Sequence, residues 1–183
     1  MLSAVAFLEA FIKAIWQDAA DSKPGQHTPY TDGIPDDAMA AMRKQWNGTE
    51  QVEGISLLTK FEIALVCARQ EPMNTDAEPY QSVDVLIPLR NNLVHFKPQS
   101  HPTEQNDIKK LVRQILEKTT QARKNRERIG QQGFPNIALR AECADWACKS
   151  TIAFAREWHA RMGLTHDFDA TYLTSLPPVE IDD

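Results

Sequence analysis

At 183 residues, with 42% apolar and 25% charged side chains, the chain has the composition of one globular domain, two at most. This excludes a disordered tail, which lacks the apolar content to form a core. The net charge of −5 excludes a general nucleic-acid coat, which needs clustered Lys and Arg, and leaves room for a local basic patch.

The pattern is helical nearly everywhere, without a convincing alternating strand. The first helix is expected over 2–20, with Val5, Leu8, Phe11, Ile12, Ile15 and Trp16 at spacings of three and four. It starts almost at Met1 with no turn for a cap, which suggests that the natural helix begins upstream. It has no basic n-region or small-residue cleavage site, and Glu9 and Lys13 interrupt it, so a secretion signal is not expected.

Residues 21–34 read as a loop. Pro35-Asp36-Asp37 opens a short helix that Asn47-Gly48 is expected to stop. A helix over 52–70 would turn Ile55, Leu58, Phe61, Leu65 and Val66 inward. The next runs over 79–96 and ends before Lys97-Pro98. After a loop at 99–104, a helix spans 105–128 in one piece or two. A further loop covers 129–137, and the last long helix is expected over 141–162, ending at Gly163. The closing twenty residues hold five acids and no Lys or Arg, which reads as a loosely docked acidic tail over 164–183. The expected architecture is an all-α, up-and-down bundle of four to five helices over 1–163.

Cys67, Cys143 and Cys148 form no disulfide framework or CxxC pair, which points to a reduced, cytoplasmic protein. No apolar run reaches membrane-span length. His27, His101, His159 and His166 are scattered without ligand spacing, so no metal site or cofactor is expected.

The 79–96 helix is the informative stretch. Leu86, Leu89, Leu93 and Phe96 line one face, and Val83, Ile87 and Val94 a second. A helix apolar on two faces needs cover on two sides, one of which a second copy of the chain can supply. Arg90 falls between these faces and needs an anionic partner or a wet groove. Pro88, two residues earlier, removes a helix hydrogen bond and is expected to kink the helix.

Arg90-Asn91-Asn92-Leu93-Val94-His95 resembles the R-x4-6-H signature of HEPN domains, in its R-N-x-x-V-H form, and Phe96-Lys97-Pro98 looks like the usual ending of that helix. Residues 3–12 and 134–158 resemble the opening and closing helices of prokaryotic HEPN proteins. A second spacing match, Arg161 to His166, crosses Gly163 and lacks the Asn and the apolar frame.

The resemblance implies a helical bundle that dimerises so that two such helices face each other. It also implies, in many members, a metal-independent endoribonuclease with a toxin or phage-defence role and an antitoxin or other regulatory partner. Arg90 and His95 would be catalytic. Histidine can take or give the proton in 2′-OH attack, and a guanidinium can hold the charged phosphorane. Asn91 shares a face with His95 and can orient the imidazole or the phosphate. Lys97 stands where some HEPN toxins carry Tyr and can contact phosphate. Glu9 and Glu62 are the candidate counter-charges for Arg90; Glu9 is also placed for an i,i+4 pair with Lys13. The alternative is a non-catalytic HEPN module that binds a nucleotide, an RNA or a partner protein.

Lys109, Lys110, Arg113, Lys118, Arg123, Lys124, Arg126 and Arg128 fall within twenty positions. They form a candidate RNA-steering face or a solvated helix face. No aromatic platform for base stacking is interleaved with them.

Overall fold

A computed structural model of the protein describes residues 1–48, 54–95, 102–119, 134–136 and 138–173. Seven helices and no strand occur among the described residues, in keeping with the all-α helical bundle expected from periodicity. They are α1 (Leu2–Asp21), α2 (Asp36–Gly48), α3 (Leu57–Cys67), α4 (Tyr80–Val94), α5 (Pro102–Lys118), α6 (Ala141–Met162) and α7 (Phe168–Tyr172). None is long and apolar enough to cross a membrane.

Local chemistry sets most of these bounds. Asp36 and Asp37 sit in the first turn of α2, where carboxylates complement the helix dipole. The helix runs on through Asn47 and Gly48, past its expected stop. Ser56 caps α3 by accepting the Thr59 N–H at 3.3 Å. That cap places the start of α3 at Leu57, five residues after the expected one. Val66 is 69% exposed, against the expectation that it faces inward. One step past Leu65 rotates it by about 100° from the buried stripe. α5 opens on Pro102, three residues before the expected start, because proline's fixed φ suits the first helical position. The basic residues 123–128 lie outside the described residues. Gly163, at φ +74, ends α6 where expected.

The chain forms two compact units. One comprises Met1–Ala10 and Met73–Ala155, the other Phe11–Pro72 and Arg156–Asp183. This division cuts α1 and α6.

In the first unit, Val5 and Leu8 of α1, Val83, Leu86 and Leu89 of α4, Leu111 and Ile115 of α5, and Phe154 of α6 are buried. α4 packs on α5. The Trp146 indole N–H donates to the buried Ser82 hydroxyl at 3.2 Å, and Lys118 pairs with Glu78.

In the second unit, α2 packs on α3, and Phe11 is the hub of an aromatic core. Its ring meets Trp158 edge-on at 5.6 Å, Phe168 at 6.0 Å and Tyr172 at 5.1 Å, and stacks on Phe61 at 6.2 Å. Each well-oriented aromatic pair adds about 0.5–1.5 kcal/mol beyond the area it buries. The buried Trp158 N–H is satisfied by the Phe61 carbonyl at 3.0 Å. Residues 164–173, assigned by composition to a loose tail, carry α7 and bury Leu164 and Phe168. Residues 174–183 lie outside the described residues.

Candidate functional site

The Arg90–His95 string occupies the last turns of α4 and its C-cap. α4 continues through Pro88 without a break. The Asn92 side-chain amide donates to the Pro88 carbonyl at 2.8 Å, a local bond that ties the string to the turn before it.

Arg90 has the anionic partner that its place between two apolar faces requires. Its guanidinium donates to the Glu9 carboxylate on α1, within the same compact unit. Of the two candidate acids, Glu9 thus makes the pair. The Arg90 side chain is 25% exposed and that of Glu9 47%, so water screens the pair and its net stabilisation is about 0–1 kcal/mol. Its main effect is geometric, since it fixes where the guanidinium points.

His95 is the C-cap of α4 and is exposed; its backbone N–H donates to the Asn91 carbonyl at 3.0 Å. Asn91 is exposed as well. Among the described residues, no hydrogen bond or ion pair joins Arg90 to His95. Lys97, the expected phosphate contact, lies outside the described residues, as does Phe96.

Both apolar faces of α4 are better covered at the start of the helix than at its end. Val83, Leu86 and Leu89 are buried, whereas Ile87 and Leu93 are half-buried and Val94 is 55% exposed. A cavity of about 620 Å³ meets α4 at Leu93; Leu2 and Ser3 of α1 and Ala138, Leu139 and Arg140 also line it. Leu2 and Leu139 are exposed at its edge. The string therefore adjoins a mostly apolar surface in its own unit.

A second constellation escaped the sequence reading. His159 and His166, treated as scattered, meet with Nε2 atoms 3.1 Å apart in the second unit. Their spacing of seven was a weak signal, because the turn at Gly163 lies between them. Burial pushes His159 down to about 4, with the neighbouring His166 adding to the shift. Burial also lowers His166, against the opposing pull of Asp32 and Asp167. Arg161, the other half of the second spacing match, pairs with Glu157 at 2.8 Å and donates to the Pro72 carbonyl at 3.1 Å.

No group of three or more His, Cys, Asp or Glu side chains suited to a metal ion occurs among the described residues. Comparison with family models, curated proteins and solved structures gives no match for the chain.

Proposed function

We propose that the chain is a HEPN-type endoribonuclease that works without a metal ion, as a homodimer whose α4 helices meet. One observation carries this reading: the R-N-x-x-V-H string closes α4 with Arg90 anchored on Glu9 and His95 left exposed.

RNA cleavage by internal attack has two requirements. A base must take the 2′-OH proton while an acid protonates the leaving 5′-oxygen, and fixed positive charge must meet the phosphorane. His95 serves as base or acid, Arg90 holds the phosphorane oxygens, and Asn91 orients the imidazole or the phosphate. On a straight helix, side chains five apart lie about 140° out of register. A second α4 related by a two-fold axis brings one chain's Arg90 within reach of the other's His95. The exposed Val94 and the apolar cavity at Leu93 support association at this end of α4. A toxin or phage-defence setting, with an antitoxin or regulatory partner, follows from the family resemblance.

The test is cleavage of labelled RNA by wild type, Arg90→Ala and His95→Ala, with RNA binding measured in parallel. Turnover should fall by about 100-fold or more in each variant. Equal turnover in all three would remove the proposal.

A non-catalytic binding module is the second reading. It is favoured by the Glu9 carboxylate, which neutralises part of the charge that a phosphorane would need. It predicts RNA or nucleotide binding with no turnover by the wild type.

A further inference from the structure

The second unit carries a histidine pair, His159 buried and His166 half-buried, that the proposed ribonuclease does not use. His159, on the last turn of α6, is 7% exposed. Its ring stands perpendicular to that of His166, with centroids 4.4 Å apart and Nε2 atoms at 3.1 Å. His166 lies beyond the turn at Gly163 and leads into α7. The pair is walled by Phe168 against His159 and by Tyr172 and Tyr30 against His166.

We propose that the His159–His166 pair is a protonation-controlled latch that holds residues 164–172 on the end of α6, closed when both rings are neutral and opened when acid protonates both.

At 3.1 Å one Nε2 must donate and the other accept, so at least one ring is neutral in the closed state. A first proton leaves that bond intact only if it lands on the far nitrogen of the donor ring. On His166 the far nitrogen is Nδ1, which is buried and has no hydrogen-bond partner among the described residues. A second proton sets one N–H against another across the same gap and puts two like charges in a half-dry site.

Asp32 and Asp167 pull the other way on His166 but do not outweigh its burial. From the loop before α2, Asp32 faces His166, but its carboxylate already accepts the Thr165 hydroxyl at 2.6 Å. From the cap of α7, Asp167 faces the same ring while accepting the N–H groups of Asp169 and Ala170 at 2.9 and 3.0 Å. Asp169 is paired with Arg156 at 2.6 Å, and Arg161 with Glu157. Tyr30 and Tyr172 also face His166. Burial pushes the Tyr172 hydroxyl up, with Tyr30 and Asp18 adding to the effect, so it stays neutral. α1 presents the apolar ring of Phe11 to Phe168 and Tyr172.

Both imidazoles are held below their ordinary value, so the closed state is fully favoured above about pH 6.5 and loses ground as pH falls toward about 4. Opening should grow about tenfold per pH unit for each proton that only the open state binds.

The test is hydrogen exchange of residues 160–172 in the full chain at about pH 7.5 and about pH 5, corrected for intrinsic exchange rates. Protection of this segment should drop at least about tenfold at the lower pH, while that of α4 holds. In His166→Gln the pH dependence should shrink to that of a single proton or less. Should that variant fail to fold, titration of the imidazole signals in the wild type decides the matter: two of the five rings must stay neutral well below the ordinary range. Unchanged protection, full pH dependence in His166→Gln, or five ordinary titrations would each overturn the latch.

Discussion

His95 and His159 are the same side chain in opposite surroundings. His95 caps α4 in the open, one residue beyond an exposed valine, and its fixed contact is a backbone hydrogen bond. His159 is enclosed by Phe168 and a second imidazole, and its hydrogen-bonding nitrogen is already committed. The comparison separates two uses of histidine. An exposed imidazole is available to a substrate, and the fold is indifferent to its loss. A buried, paired imidazole is closed to substrate, and the fold depends on its charge.

That contrast can be broken at His95 first. His95→Ala should lower RNA cleavage by about 100-fold to 10,000-fold with melting temperature and helicity unchanged, since the side chain is exposed. Cleavage rates beside circular dichroism melts check this. A variant that lost activity by unfolding would contradict the exposed placement.

At the buried end, Phe11→Ala should cost about 3–5 kcal/mol, because one ring serves Phe61, Trp158, Phe168 and Tyr172. Urea unfolding measures it, and a loss below about 1 kcal/mol would mean that the aromatic core is not the hub described. Trp158→Phe should cost less, about 1–3 kcal/mol, by removing the indole N–H that donates to the Phe61 carbonyl at 3.0 Å and leaving a gap at a fully buried position.

The pH dependence sharpens the contrast further. His159 and His166 titrate low, so their contribution to stability is whole above about pH 6.5 and is lost toward about pH 4. His27 has the opposite sign. Its hydrogen bond to Asp36, at 2.8 Å, raises it, so its contribution is whole at acid pH and fades as pH rises through its raised value. Melting temperatures of wild type and His27→Gln across pH should therefore converge at the alkaline end. The smallest effect belongs to Glu9→Gln, which should change stability by less than about 1 kcal/mol and lower cleavage by less than Arg90→Ala does.

The parts of this molecule that were legible in the sequence are those governed by local rules. The apolar spacing of α1, the Gly163 stop and the acidic opening of α2 are such features. Arg90's need for an anion was also legible, because a guanidinium between two apolar faces has few other options. Which acid met that need was not: Glu9 and Glu62 sit in similar helical patterns, and only the packing of α1 near α4 distinguishes them. The start of α3 was misplaced because periodicity continues backwards past a cap that a single serine sets. The histidine pair was hidden for the same kind of reason. A turn with positive φ at Gly163 reverses the chain between the two rings, and a spacing of seven has no meaning until that turn is formed.

The central claim is that the end of α4 cuts RNA by internal transesterification, and the chemistry of the new ends tests it most directly. Purified wild type incubated with labelled RNA and excess EDTA should leave 2′,3′-cyclic phosphate and 5′-hydroxyl ends, and His95→Ala should leave the RNA intact. Ends bearing 5′-phosphate and 3′-hydroxyl, cleavage that stops when metal is chelated, or equal cutting by His95→Ala would contradict it.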